Sequence, residues 1–306
     1  MKEAFHPSTT SAHLSHFRTF LLFLFHFKLP LVIDLRYVLA FLQFLTNNHI
    51  QPKVIGNYVS SIRTMASWFN LEHSALSHQH IFLFLRSIRI NNPTPPTEKG
   101  VFDIPTIGKI SELCEECFDS PLFRAIFLTA FFGFLRMSNI APHSKAAFDC
   151  TRHLLRKDIV FKQPGLHIKI KWSKTNQNRK NLHFIQLPKL SNPLLCPVRA
   201  VYELLSTRKC SPDSPLFVLR STGAIIIDTQ IRDMLKSILV SLGIPLQGNG
   251  FHTFRLSGAV WTFDNQVSIE QIMYHGAWRS NAVWEYLQHA SLASATVPLT
   301  FASLLP

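Results

Sequence analysis

The chain of 306 residues is 47% hydrophobic, which suits two domains of roughly 100–200 residues with filled cores. Its 31 Lys and Arg against 18 Asp and Glu give a formal charge of +13 spread along the chain and not gathered into a tail, so a polyanion is the natural partner. Five Cys at irregular positions (Cys114, Cys117, Cys150, Cys196, Cys210) exclude a disulfide framework, and the early apolar run Phe20 to Phe25, broken at His26 and Lys28 and closed by Pro30, falls short of the roughly 20 residues of a membrane span.

Polar residues and histidines precede that run and no small-residue cleavage site follows it, so a secretory signal is not expected and an intracellular protein is. Segments 9–28, 34–48, 52–69 and 78–88 show apolar residues at helical spacing and predict a compact four-helix bundle. Ser8 to Ser11 offer capping residues for the first helix. From Asn91 to Gly100, three prolines, two asparagines and a glycine interrupt every periodic pattern. This stretch, 91–100, reads as a linker between a domain at 9–90 and another at 101–306.

Past the linker the pattern becomes mixed. Ile107 to about Asp119 and Pro121 to Arg136 predict helices, the second so apolar (AIFLTAFFGFL) that it should be buried and end at Arg136. Asp158 to Gln163 and Leu166 to Trp172 alternate apolar and polar residues around Pro164-Gly165, and His183 to Pro188 adds a third strand. Segments 197–207, 228–242, 251–264, 268–274 and 280–290 predict further helices, and no internal repeat is evident. The expected class is therefore mainly α with a small antiparallel β-sheet. Cys114 and Cys117 form a CEEC pair, read as neighbours on one helix face, because no second pair or nearby His pair completes four zinc ligands.

One spaced set of polar groups stands out: Arg136 in GFLRMSN, Lys174 in KWSKTNQ, His252 and Arg255 in FHTFRLSGAV, His275 and Trp278 in YHGAWRS, and Tyr286 in VWEYLQ. A phosphodiester repels a nucleophile unless cations neutralise its oxygens, a task that suits the planar donor forks of two arginines. Arg136 follows roughly ten nearly uninterrupted apolar residues, a costly place for a charge that is neither paired nor used. His252 and Arg255, at i and i+3, share one helix face. Neither a P-loop nor a carboxylate cluster appears, so no nucleotide, metal or other cofactor is expected.

With those residues in view, 107–290 resembles the catalytic domain of the tyrosine recombinases, or phage-type integrases. Residues 9–90 resemble the helical, SAM-like core-binding domain that precedes it. The match is strongest over His252-Thr-Phe-Arg255, Ala259, Val267 to Met273, Gly276-Ala-Trp278 and Tyr286. Its order is similar to the Cre-like branch, and the short interval from Trp278 to Tyr286 resembles recombinases of DIRS-like and Crypton eukaryotic mobile elements. The resemblance implies a two-domain DNA strand transferase that clamps double-stranded DNA and acts in site-specific recombination or integration as a homotetramer on two duplexes, in the nucleus.

It also implies the roles. Tyr286 is the nucleophile that forms a 3′-phosphotyrosine, with Tyr37, Tyr58, Tyr202 and Tyr274 as less well placed competitors. Arg136 and Arg255 hold the phosphate, and His252 serves as acid/base or as a phosphate hydrogen bond. Lys174, on a hairpin turn with Lys169, Lys171 and Lys180 as rivals, protonates the leaving oxygen. Either Trp278 or His275 fills the position that donates to a phosphate oxygen. Asn139 departs from the acidic residue expected three positions after the first arginine. An amide orients neighbours without neutralising an arginine, so the alternative is a catalytically impaired, domesticated DNA-binding protein of the same descent.

Overall fold

A computed structural model describes residues 7–93, 99–116, 119–172, 182–207 and 211–288. The chain divides into two compact units, Met1–Pro96 and Thr97–Pro306, each with its own apolar core. Among the described residues no helix is long and apolar enough to cross a membrane, and no group of three His, Cys, Asp or Glu is placed to hold a metal ion.

The first unit is helical: α1 (Pro7–His26), α2 (Leu35–Asn47), α3 (Pro52–Trp68) and α4 (Gln79–Asn91), with a 3-10 turn at Ser74–Ser77. Helix α1 begins at Pro7, so Ser8 to Ser11 lie inside it and do not cap it; proline suits a first turn, whose N–H groups have no helical partner. Asp34 caps α2 by accepting the Arg36 N–H at 2.9 Å. Phe20, Leu24, Phe41, Leu42, Ile55 and Ile62 are fully buried where the helices meet, and Phe20 packs edge-on against Phe41 at 5.2 Å. Each such side chain contributes roughly 1.5–3 kcal/mol by leaving water.

The second unit opens with α5 (Ile104–Glu115), capped by Asp103 accepting the Thr106 N–H at 2.8 Å, and α6 (Ser120–Phe132), buried along nearly its whole length. Cys114 is buried on α5; Cys117 lies outside the described residues. Helix α6 stops at Phe132 and not at Arg136. Gly133 caps it and Phe134 adopts a left-handed φ of 47°, so the chain turns and Arg136 stands in extended conformation just ahead of the short α7 (Met137–Ile140).

Three strands, β1 (Ile159–Lys162), β2 (Gly165–Ile170) and β3 (His183–Pro188), form an antiparallel sheet in the order β1-β2-β3. Ile159, Leu166, Ile168, Ile170, Ile185 and Leu187 supply its buried positions. Lys162 pairs with Gly165, so Gln163-Pro164 makes the turn and Gly165 is drawn into the ladder, opposite Pro188 on the other side.

Helices α8 (Pro197–Ser206), α9 (Asp228–Ser241), α10 (Phe251–Asp264) and α11 (Ile269–His275) follow, then a 3-10 turn at Asn281–Val283 that runs into α12 (Trp284–Leu287). Helix α10 crosses α6 closely enough that a Cβ on Gly258 would sit 2.4 Å from the Phe131 carbonyl oxygen. That approach needs glycine, and it brings Arg255, one turn earlier on α10, within reach of the bend after α6. The result is mainly α with a small antiparallel sheet, as the residue pattern predicts.

Candidate active site

Arg255 forms the centre of the site. It is 2% exposed, and its two terminal nitrogens donate to backbone carbonyls, Nη1 to Phe134 and Nη2 to Gly276, the latter at 2.8 Å. The first of these bonds ties the site to the bend that ends α6. A phenylalanine in left-handed conformation is strained by about 1–3 kcal/mol, and its carbonyl is held by a charged donor. The guanidinium also stacks 3.8 Å over the Trp278 ring. Trp278 folds back over its own chain, so a Cβ on Gly276 would lie 1.7 Å from the indole; only glycine fits there. Burial, and then the like charge of Arg136, push Arg255 down to about 9, which leaves it protonated at neutral pH. Its Nε–H is buried without a hydrogen-bond partner among the described residues, although the nearby Tyr286 side chain favours the charge.

Arg136 enters from the start of α7, part-buried, its charge disfavoured by burial and favoured by Tyr286. Among the described residues, neither Arg136 nor Arg255 has a carboxylate at ion-pair distance. Two desolvated cations without a counter-ion leave a position that an anion would fill.

Tyr286, on α12, faces the same place. Its hydroxyl is hydrogen-bonded at 2.7 Å to Nε2 of His252, the second residue of α10. The Trp278 ring meets Tyr286 edge-on at 5.2 Å, and the Arg255 guanidinium lies 6.0 Å from the phenol centroid. His252 keeps an exposed edge, yet the packing around its ring, followed by the charges of Arg255, Arg136 and Lys99, pushes its pKa down to about 4. At neutral pH it is an uncharged imidazole bonded to a phenol, and such a pair can exchange a proton.

Geometry separates the two residues that remain alternatives in the sequence. Trp278 packs against both Arg255 and Tyr286. His275, at the end of α11, points its Nε2 into the protein and donates to the Phe132 carbonyl at 2.8 Å, and burial lowers its pKa. Its own carbonyl accepts from His183 at 3.0 Å, which joins α11 to β3. His275 thus braces the bend between α6 and α7.

Lys174 lies outside the described residues, as does Lys180. Of its rivals, Lys171 is paired with Asp158 and donates to the Cys150 carbonyl at 2.8 Å, while Lys169 lies within β2. The competing tyrosines are elsewhere: Tyr37 and Tyr58 pack on the core of the first unit, Tyr202 is exposed beside Phe161, and Tyr274 is 72% exposed against His183. Asn139 is buried and uses both ends of its amide. Oδ1 accepts the Arg136 backbone N–H at 3.2 Å and Nδ2 donates to the Trp172 carbonyl at 2.8 Å.

Sequence reasoning missed two parts of this cluster. One is the pair of carbonyls, Phe134 and Gly276, that hold Arg255; backbone acceptors leave no mark in composition. The other is Lys99, whose ammonium lies 5.9 Å from the Tyr286 ring centroid although it sits in a stretch that reads only as linker.

No family model matches the sequence, and no curated protein matches it either. Solved structures do. The chain is similar to the Tn1549 transposon integrase in complex with transposon right end DNA, at 12% identity over 99% of this chain and 96% of that one, with a TM-score of 0.65. It is also similar to lambda integrase, solved as a dimer bound to a core site, at 14% identity over 93% and 72% with a TM-score of 0.60. A third is the XerH site-specific recombinase bound to a palindromic difH substrate, at 15% identity over 95% and 78%, again with a TM-score of 0.60. At these identities the likeness is one of fold, and the fold of this chain is that of the tyrosine recombinases.

Proposed function

We propose that this chain is a DNA strand transferase that cuts one strand of duplex DNA with Tyr286, holds the break as a 3′-phosphotyrosine and rejoins it to another end. The observation that carries this reading is the 2.7 Å hydrogen bond between the Tyr286 hydroxyl and neutral His252, set beside two arginines that lack carboxylate partners among the described residues. The orphaned Nε–H of Arg255 and the surplus of 13 positive charges support a phosphate as the missing anion.

In the forward step the Tyr286 oxygen attacks phosphorus and the bond from phosphorus to the 5′-oxygen breaks. His252 takes the phenol proton at Nε2, and Lys174 gives one to the departing 5′-oxygen, which leaves as a hydroxyl. Arg136 and Arg255, with the Trp278 indole N–H, hold the non-bridging oxygens as negative charge builds on them. Attack by a 5′-hydroxyl of another strand reverses every transfer. The tyrosyl ester keeps the energy of the cut bond, so rejoining requires no nucleotide hydrolysis.

In this reading residues 9–90 form a core-binding domain, 101–306 the cleaving domain, and four copies on two duplexes exchange strands for a mobile element in the nucleus. The likeness of the Trp278-to-Tyr286 interval to DIRS-like and Crypton recombinases supports the branch and the nuclear site. A second reading, a DNA-binding relic without turnover, rests on Asn139. It is weakened because each end of the Asn139 amide meets a backbone group it fits.

The test is a nicked suicide duplex taken from DNA flanking the gene, incubated with wild type and with Tyr286→Phe. A denaturant-resistant protein–DNA band in wild type alone is the expected result. Salt-sensitive binding with no such band on any flanking duplex would favour the relic.

A further inference from the structure

Lys99 is the charged group beside Tyr286 that the mechanism above does not employ. Its position is fastened from the backbone. The next residue, Gly100, donates its N–H to the Gly248 carbonyl at 3.1 Å, and Phe102 donates its N–H to Ser257 Oγ at 2.7 Å, a buried bond. The Phe102 ring packs edge-on against Phe254 at 5.3 Å. Ser257 and Phe254 belong to α10, so the segment that carries Lys99 is pinned to the same helix as His252 and Arg255.

Little else holds the side chain there. Lys99 is exposed, no carboxylate pairs with it among the described residues, and a contact of 5.9 Å to an aromatic ring at an exposed site is weak. Its charge acts on His252, as do those of Arg255 and Arg136. A further cation against the Tyr286 ring is favourable once an anion lies beside that tyrosine.

We propose that Lys99 is a further catalytic cation, whose ammonium binds a non-bridging oxygen of the DNA phosphate that Tyr286 attacks. The inference rests on the strand-transfer reading. A compact charge on a flexible stem can follow the oxygen as the phosphate becomes pentacoordinate, while the Arg255 fork is held by the Phe134 and Gly276 carbonyls. It also links the start of the second unit to the reacting group, through a residue no motif identifies.

The full-length protein carrying Lys99→Gln or Lys99→Arg tests this, on the nicked suicide duplex at saturating DNA. Lys99→Gln should form the covalent adduct on the order of ten- to a hundredfold more slowly, and Lys99→Arg should recover most of the rate. The slope of log affinity against log salt should fall by about 0.9 in Lys99→Gln, the loss of one phosphate contact. In the DNA-free protein, the NMR titration midpoint of His252 should rise in Lys99→Gln. A wild-type rate in Lys99→Gln would overturn the inference alone, and a reduced salt slope beside that rate would make Lys99 a contact remote from the reaction. No adduct from wild type would remove the strand-transfer reading and this catalytic role with it. An unchanged His252 midpoint would show that Lys99 does not reach the site and would also overturn the inference.

Discussion

Arg255 donates to two carbonyls and stacks on an indole, so Arg255→Lys is far from conservative. Lysine keeps the charge but cannot serve Phe134 and Gly276 together while lying flat on Trp278. The expected result is a loss of about 1–3 kcal/mol in a denaturant titration, with covalent adduct formation slowed on the order of a hundredfold or more. Asn139→Asp is the second residue-scale case. A carboxylate can accept from the Arg136 N–H but faces the Trp172 carbonyl with no proton to donate. The acidic residue that the resemblance leads one to expect should therefore destabilise this chain by about 1–3 kcal/mol and restore no activity; a gain in adduct yield on Asn139→Asp would contradict that. His252 gives the third. With its folded pKa at about 4 and an unfolded value near 6.5, the unfolded state binds the proton first as pH falls. The stability it contributes is full above about 6.5 and is lost as pH falls from there toward 4. An NMR titration should place the His252 midpoint near 4, and a midpoint above 6 would show that the ring is not desolvated. The spacing of the polar groups in the sequence was enough to expect His252, Arg255, Trp278 and Tyr286 near one another, and these four do lie together. What Asn139 and His275 do was not legible there, since both answer to backbone carbonyls far away in the chain.

At the scale of elements, the site depends on three bends more than on the helices themselves. The turn after α6 delivers Arg136 and offers the Phe134 carbonyl, Gly276 lets Trp278 fold over Arg255, and the 3-10 turn at Asn281–Val283 starts the helix of Tyr286. Gly276→Ala tests the second of these. The methyl group has no room beside the indole, so Trp278 must leave the guanidinium. Adduct formation should fall on the order of a hundredfold, by analogy with the loss of one positioned donor, while DNA affinity stays close to wild type. Retained cleavage would mean that the indole has no part in the reaction. Helical periodicity was enough to find α2, α3 and α10, and alternation enough for β1 to β3. It failed at the end of α6, where the apolar run continues through Leu135 although the helix does not: hydrophobicity reports burial, and a buried turn looks like a buried helix. The hairpin turn shifted for a related reason, since Gly165 carries a turn signal but is used inside the ladder.

For the whole molecule, the chain separates into two units between Pro96 and Thr97, inside the stretch from Asn91 to Gly100 where periodicity ceases. For the proposed DNA strand transferase, the excess of positive charge would make affinity for DNA depend on salt, so every comparison of variants belongs at one ionic strength. In the proposed reaction Tyr286 becomes covalently joined to a 3′-phosphate. The most direct measurement is mass spectrometry of the nuclease-trimmed, trypsin-digested adduct. Cleavage after Arg279 releases a peptide beginning at Ser280 whose single tyrosine is Tyr286. This peptide should carry the added mass of a 3′-nucleotide, localised to Tyr286 by fragmentation. A nucleotide on any other peptide, or on none while free 5′-hydroxyl ends accumulate, would contradict that reaction.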